Sequence, residues 1–289
     1  MITITSEWEG ANKPFTIHRG TTNFFLAENY LLTGDRDLAY RLLYDALLDD
    51  VQLKLNPQSA NYPKGAPAYL TIRLKDSDKN HLTYFVKRAR NRLAQHISTF
   101  NILFSKSFTI QTFDIKFLDN KFLKDIVSFF TFNYIYFVET EGPADNNNEF
   151  IRLRNLDFIF NLCLIIDKTL EEAEKNHKGS IGSYKMSDRI IWLSDKNGWL
   201  SQPDLEDLWS SGNLDLNSSD PDVILPKLLS RKEKYKNAAV SKELHDLLIA
   251  YRLRNYGGHN IRQQSCITSN FDDLVQCLLN SLFIAVEAL

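Results

Sequence analysis

The sequence has little cysteine, glycine or proline. Three of its 289 residues are cysteines, and Cys163, Cys266 and Cys277 lie far apart with no C-x-x-C pair. This pattern argues against a disulfide framework and a structural zinc site, and it fits a reducing cytoplasm. There are only 11 glycines and 8 prolines, and apolar residues recur mostly at three- and four-residue spacing. The chain is therefore predicted to be all-α.

The sequence also lacks an excess charge and a long apolar run. A formal net charge of −2 gives no overall signature of polyanion binding, so any contact with nucleic acid must come from a local patch. The first residues, MITITSEWEG, lack the basic start and apolar core of a secretory signal. The most apolar stretch, residues 126–138, is too short for a membrane span and is bounded by charged residues. We expect a cytoplasmic protein that does not contact the membrane.

Several catalytic signatures are missing as well. The sequence contains no phosphate-binding glycine loop, kinase motif set, serine-elbow motif or H-E-x-x-H pattern. These absences disfavour most other enzyme classes. No metal site and no cofactor are predicted.

The chain is predicted to divide at EGPADNNNE, residues 141–149, where glycine, proline and three asparagines form a linker. Residues 1–141 are expected to be an N-terminal helical region with a hairpin that turns at Gly34. The small and large residues of this hairpin are spaced as in a tetratricopeptide hairpin, but no second copy follows at the period of roughly 34 residues. Its facing residues are predicted to be Leu26, Ala27, Tyr30, Ala39, Leu42, Leu43 and Ala46.

Residues 150–289 are predicted to form a bundle of four or five helices with a large insertion. Residues 150–175 form a buried helix, and Ser241 caps another helix that ends near Tyr256. Asn270 caps the last helix. Two acids in its first turn, Asp272 and Asp273, suit the helix dipole. The apolar stripe of this last helix consists of Leu274, Leu278, Leu282 and Val286.

The segment YRLRNYGGHN, residues 251–260, has two interpretations. It can be an ordinary helix end, because Gly257 suits the position just past a helix and basic side chains suit the carbonyl end. Alternatively, Arg254, Asn255 and His259 form a reaction centre.

The pattern R-N-x-x-x-H at Arg254, Asn255 and His259 resembles the signature of HEPN domains. These domains are helical bundles of bacterial RNA-cleaving toxins, antiviral defence effectors and CRISPR ribonucleases. The resemblance covers roughly residues 150–289 and implies a metal-independent endoribonuclease with a composite site at a homodimer axis. In that site, histidine suits proton transfer near neutral pH, arginine suits phosphate oxygens, and Asn255 orients the phosphate or the histidine.

The signature allows four to six residues between the arginine and the histidine, and spacing alone does not identify the site, because RNRLAQH also satisfies it with Arg90, Asn91 and His96. This second match lies inside a continuous amphipathic helix, where Arg90 and His96 point about 120° apart. We keep it only as a candidate RNA-facing surface. Acids on the buried helix, Asp157 and Asp167, are expected to need partners, and Arg254 is a conceivable one.

Four further basic residues are candidates for RNA binding: Arg231, Lys232, Lys234 and Arg252. The alternative for the basic run 228–236 is a solvated helix face. His245 is expected to be structural, and Cys266 has no base beside it that would make it a nucleophile.

The expected partners are RNA, for example tRNA or mRNA, and a second copy of the chain. A regulatory partner, such as an antitoxin or a defence-complex subunit, is expected to act through residues 1–141. The alternative function is a catalytically inactive helical scaffold that binds a partner.

Overall fold

The structure is a computed structural model of the chain. It describes residues 2–8, 11–17, 19–35, 38–39, 41–43, 45–46, 83–140, 149–179, 182–210, 220–256 and 265–289. The chain divides into two compact units, Met1–Ala89 and Arg90–Leu289. Helix predominates, so the predicted all-α class is confirmed.

The first unit begins with a β-hairpin that the sequence analysis did not predict. Strand β1 (Ile2–Trp8) pairs antiparallel with β2 (Ala11–Ile17), and Trp8 lies opposite Ala11 at the turn. The alternating isoleucines and threonines of β1 explain the extended backbone, because β-branched residues favour strands. A short two-stranded hairpin leaves little trace in a chain dominated by helical periodicity.

A helix and a turn follow the hairpin in the first unit. Helix α1 (Gly20–Thr33) ends at Gly34, whose φ of +89° suits glycine. The described positions between residues 38 and 46 are again helical. Of the residues predicted to face inward, four are buried, namely Ala27, Ala39, Leu43 and Ala46. Leu26 is 42% exposed, so its predicted placement was wrong.

The remaining elements run from α2 to the C-terminus. They are α2 (Thr83–Phe104), α3 (Ile110–Phe113), a π-helical turn (Asp114–Leu118), α4 (Lys124–Thr140), α5 (Glu149–Lys178), α6 (Met186–Asn197), α7 (Gln202–Ser210), α8 (Pro221–Ser230), β3 (Lys234–Tyr235), β4 (Ala238–Ala239), α9 (Lys242–Tyr256), α10 (Ser265–Ser269) and α11 (Phe271–Ala288). None of the helices in these described segments is long and apolar enough to cross a lipid bilayer.

Helix α11 is the centre of the second unit and packs against α5 and α9. The four residues of its predicted stripe are completely buried: Leu274, Leu278, Leu282 and Val286. Most of their neighbours on α11 are buried too, so the helix is enclosed on nearly every side. A helix that is apolar all round belongs in the middle of a bundle.

An aromatic cluster joins α2, α3, the π-helical turn, α4 and α11. Its fully buried rings are Phe100, Phe113, Phe117, Phe130, Tyr134 and Phe283. Neighbouring rings meet at centroid distances such as 5.5 Å between Phe100 and Phe283, edge to face. These contacts bury large apolar areas and fix the order of the helices. They also place α4 and the part of α2 after Ala89, which precede residue 141, in the same unit as the C-terminal helices.

The predicted caps are partly confirmed. The backbone N–H of Leu244 donates to Ser241 Oγ at 3.1 Å, so Ser241 caps α9. Asn270 does precede α11, but its side chain makes no capping hydrogen bond. Its Nδ2 instead donates to the Cys266 carbonyl at 2.8 Å.

Two segments have a secondary structure that differs from the prediction, and a third lies mostly outside the residues that the structure describes. The turn-rich stretch near 196–222 contains helix α7. The basic run 228–236 ends α8 and continues into the β3–β4 hairpin, so the alternative of a solvated helix face was wrong. Most of the predicted boundary at 141–149 lies outside the described residues, and the division into 1–141 and 150–289 stays a prediction.

Candidate functional site

Arg254 lies in the last turn of α9 and binds an acid on α5. Its Nη2 lies 2.9 Å from Asp167 Oδ2, as the sequence analysis suggested. The Asp167 side chain is 5% exposed, whereas that of Arg254 is 34% exposed. The pair therefore anchors one end of the guanidinium group in the core and leaves the rest open to solvent.

A second arginine, Arg189 of α6, binds the same carboxylate through Asp167 Oδ1. Arg189 is buried, and its Nη2 also donates to the Ser183 carbonyl at 2.6 Å. The same Nη2 lies 3.2 Å from Glu171 Oε2. A buried carboxylate needs such partners because desolvation of a lone charge is costly. Asp167 thus joins α5, α6 and α9 at one point.

Glu171, one turn after Asp167, extends the ion-pair network to the surface. Its carboxylate lies 2.8 Å from Lys168 Nζ and 2.6 Å from Lys175 Nζ. Burial alone would raise the pKa of Glu171, but the hydrogen bonds from the two lysines and the Arg189 charge outweigh it. The pKa is lowered to about 2. Glu171 is thus anionic at neutral pH.

Glu174 fixes the loop between α5 and α6. Its Oε2 accepts the Ser183 backbone N–H at 2.6 Å, and its Oε1 accepts the Ser183 hydroxyl and Lys178 Nζ, each at 2.6 Å. A Cβ added to Gly182 would lie 3.1 Å from Glu174 Oε2, so glycine leaves room for this contact. Because the Ser183 carbonyl holds Arg189, this loop helps to position the arginine that shares Asp167 with Arg254.

A buried thiol lies near Arg254 on α5. The buried Cys163 lies one turn before Asp167 on α5. Burial raises the pKa of its thiol well above the usual range, although the Arg254 charge opposes that change. Cys163 is therefore an inert thiol.

Of the other two predicted catalytic residues, the structure describes Asn255 but not His259. Asn255 is exposed on α9, directly after Arg254. His259 lies outside the described residues, as do Gly257 and Gly258. The structure therefore brings Arg254 and Asn255 to one helix end and leaves the position of the histidine as a prediction.

The predicted RNA-binding residues separate into two pairs. Lys232 and Lys234 are exposed. Arg252 is 8% exposed, so it does not present its charge to solvent as an RNA contact requires. Arg231 donates from Nε to the buried Asp246 Oδ1 at 2.7 Å and caps α8, which gives it a structural role.

The second motif match is built into the core. Arg90 binds Asp114 through two hydrogen bonds of 2.9 and 3.0 Å. His96 is buried, and its Nδ1 lies 2.6 Å from Gln276 Oε1 on α11. Both side chains are engaged within the protein, whereas Asn91 between them is exposed, and the candidate RNA-facing surface around this match stays a prediction.

Three other sequence expectations have clear outcomes. His245 is a buried core residue whose Nδ1 lies 2.7 Å from the Ser241 carbonyl oxygen. Burial and the hydrogen bond with Asp222 raise the pKa of Cys266 to about 12, which makes it a poor nucleophile. Asp157 is exposed, so its predicted burial was wrong.

Sequence reasoning missed Arg189. The signal was present, because Arg189 lies on the same face of α6 as Met186, Ile190 and Leu193, all of which are buried. An arginine on the apolar face of an amphipathic helix needs a buried acid as its partner. In this structure the buried acid that pairs with Arg189 is Asp167.

No family model, curated protein or solved structure matches this chain. Among the described residues, no three histidine, cysteine, aspartate or glutamate side chains are grouped so that they could hold a metal ion. The function is therefore argued from the Arg254 site itself.

Proposed function

We propose that the protein is a metal-independent endoribonuclease of the HEPN type, with Arg254, Asn255 and His259 as its catalytic residues. The observation that carries this proposal is the anchoring of Arg254. Its guanidinium is held by a buried carboxylate and stays 34% exposed at a helix end, next to the exposed Asn255. This suits a group that must meet a phosphate without reorganising.

The proposed reaction is attack of a ribose 2′-oxygen on the adjacent phosphorus. The 2′-hydroxyl proton passes to a base, the new P–O bond forms, and the 5′-oxygen leaves with a proton from an acid. The products are a 2′,3′-cyclic phosphate and a 5′-hydroxyl end. Histidine suits both proton transfers near neutral pH, and Arg254 would stabilise the charge on the phosphorane oxygens.

In a concerted in-line displacement the base and the acid act at the same time on opposite sides of the phosphorus, so two histidines suit the reaction better than one and the proposed site is composite. Two copies related by a twofold axis would supply two histidines and two arginines. The cellular role we propose is that of a toxin or antiviral defence effector. The tetratricopeptide-like hairpin near Gly34 would receive the regulatory partner.

An inactive scaffold is the second candidate function. It is favoured by the Asp167 network, because Arg254 and Arg189 together compensate a buried charge whether or not chemistry takes place. In that case the Arg254–Asp167 pair only ties α9 to α5, and the protein acts by holding a partner.

Incubation of the purified protein with total RNA in excess EDTA tests the proposal. We expect cleavage that yields 5′-hydroxyl ends, and its loss in both Arg254→Ala and His259→Ala. Arg88→Ala, which removes an exposed arginine of α2, is the control and should cleave normally. If no RNA is cut, or if the Arg254 and His259 variants cut as fast as wild type, the scaffold function is supported instead.

A further inference from the structure

Helix α5 presents an exposed stripe beside the Arg254 site. Its exposed members are Asp157, Leu164 and Lys168, and the half-buried Asn161 lies between the first two; the four residues are spaced by four, three and four positions. This spacing places all four on one side of a helix, as in the seam of a coiled coil. Leu164 is 48% exposed, although α5 is otherwise largely covered by neighbouring helices.

The stripe lies between two fixed neighbours. On one side, Asn161 Nδ2 donates to Asn133 Oδ1 of α4 at 2.7 Å. On the other side, Asp167 holds Arg254 of α9. The exposed stripe therefore runs directly along the edge of the candidate site.

The charges of the stripe are self-complementary. Asp157 at one end and Lys168 at the other are both exposed, and the Lys168 side chain is 55% exposed. When two such helices pack antiparallel about a point between Asn161 and Leu164, Asp157 of each protomer lies opposite Lys168 of the partner subunit. Leu164 then lies opposite Asn161 in the middle. An isologous interface forms each of these contacts twice.

Lys168 already pairs with Glu171 at 2.8 Å on its own helix. Glu171 would not be left alone if Lys168 turned to the partner, because Lys175 and Arg189 also bind it. The lysine can thus serve a contact between protomers without uncovering a charge within the chain.

We propose that the α5 stripe, residues 157, 161, 164 and 168, is the homodimer interface of this protein. The choice of a second copy as the occupant rests on the proposed function, which needs two sites at one axis. Charge complementarity and the position of Leu164 select the surface.

This arrangement brings the two Arg254 sites together. A twofold axis perpendicular to the helix pair places the two Asp167–Arg254 pairs on opposite sides of the axis, at the same height along it. Asp167 lies four to five residues from the axis, which is about 7 Å along the helix. Both guanidinium groups would therefore face one shared cleft, where a single RNA strand meets both.

Sedimentation of the full chain and its variants tests the interface. We expect wild type to form a dimer, and Leu164→Asp to weaken it about a hundredfold, because an unpaired carboxylate would lie at the centre of the contact. The control is Ile102→Asp, a change of an 80% exposed apolar residue on α2, which should leave the dimer unchanged. Circular dichroism confirms that each variant is folded.

Charge reversal gives a test that does not depend on a damaging substitution. Asp157→Lys and Lys168→Asp should each weaken the dimer about tenfold, because like charges then meet at two symmetry-related places. The double variant should restore the wild-type affinity. A strictly monomeric wild type, or single reversals without effect, overturns the interface.

The outcomes separate this inference from the proposed function. A dimer that is insensitive to the α5 changes but still cuts RNA leaves the ribonuclease intact and refutes the interface. A dimer that follows the charge reversals but cuts no RNA supports the interface and refutes the ribonuclease.

Discussion

Arg254 Nη2 and Asp167 Oδ2 lie 2.9 Å apart at the border between the core and the surface. The buried carboxylate also binds Arg189, so one acid orders two guanidinium groups from different helices. A side chain held in this way loses little further entropy when it binds a phosphate, which is the advantage of a preorganised site.

Neutralising Asp167 should reduce both stability and RNA cleavage. In Asp167→Asn the carboxylate charge is lost, while Arg189 remains buried with a positive charge. We expect the free energy of unfolding to fall by about 3 kcal/mol, as for other broken buried pairs. Cleavage by the folded protein should fall at least about tenfold because Arg254 is no longer fixed. Urea unfolding and single-turnover RNA cleavage measure the two effects.

The matched control is Asp195→Asn, which changes an exposed aspartate of α6. Neither stability nor cleavage should change by more than the error of measurement. If Asp167→Asn lowers stability but the folded fraction cleaves RNA as fast as wild type, Asp167 has no role in positioning Arg254.

The two matches to the motif, at Arg254 and at Arg90, should respond differently to removal of their arginine. Arg90→Ala leaves Asp114, whose side chain is 12% exposed, without its bidentate partner. The free energy of unfolding should fall by about 1–3 kcal/mol, but RNA cleavage per folded molecule should stay normal. Arg254→Ala should abolish cleavage. A loss of cleavage in folded Arg90→Ala would show that the second match takes part in the reaction.

Lys232 and Lys234 should contribute to RNA affinity through charge alone. Both are exposed, and each phosphate contact that they make would release counterions on binding. We expect Lys232→Ala and Lys234→Ala together to weaken RNA binding and to reduce the dependence of log K on log salt by about 2. Titrations at several salt concentrations measure this slope.

Arg231→Ala is the contrasting variant for those titrations. Although burial disfavours the charge, the hydrogen bond with Asp246 raises the pKa of Arg231, so it is a structural cation. Its removal should lower stability and leave the salt dependence of binding unchanged. An unchanged slope in the double lysine variant would instead remove Lys232 and Lys234 from the RNA-binding surface.

The helices were predictable because their signals are local. The apolar stripe of α11 and the serine before α9 follow from spacing and capping, which depend on a few neighbouring residues. The β1–β2 hairpin was missed because a single short pair of strands gives a weak pattern within a helical chain.

The site was less predictable because its contacts join distant parts of the chain. The Arg254–Asp167 pair follows from the rule that a buried acid needs a cation, but the sequence does not reveal that Arg189 shares the acid. Arg252 is a second case in which the sequence did not reveal the position of a side chain. It is two residues before Arg254, yet the turn of the helix buries it.

Two buried histidines should make stability depend on pH. Burial lowers the pKa of His96 and of His245 below the usual 6.5, despite hydrogen bonds with Gln276 and with the Ser241 carbonyl. Neither Nε2 has a hydrogen-bond partner among the described residues. Below about pH 6.5 the unfolded chain therefore binds more protons than the folded one, and the free energy of unfolding falls as the pH is lowered.

Unfolding in urea between about pH 8 and about pH 5 measures this dependence. His96→Gln should make the dependence shallower, since glutamine binds no proton in either state, and His245 should account for what remains. His177→Gln, which changes an exposed histidine of α5, should leave the dependence as in wild type. Stability that stays constant or rises as the pH falls through about 6.5 would show that the folded chain binds as many protons as the unfolded chain, and that these two imidazoles are not held neutral by burial.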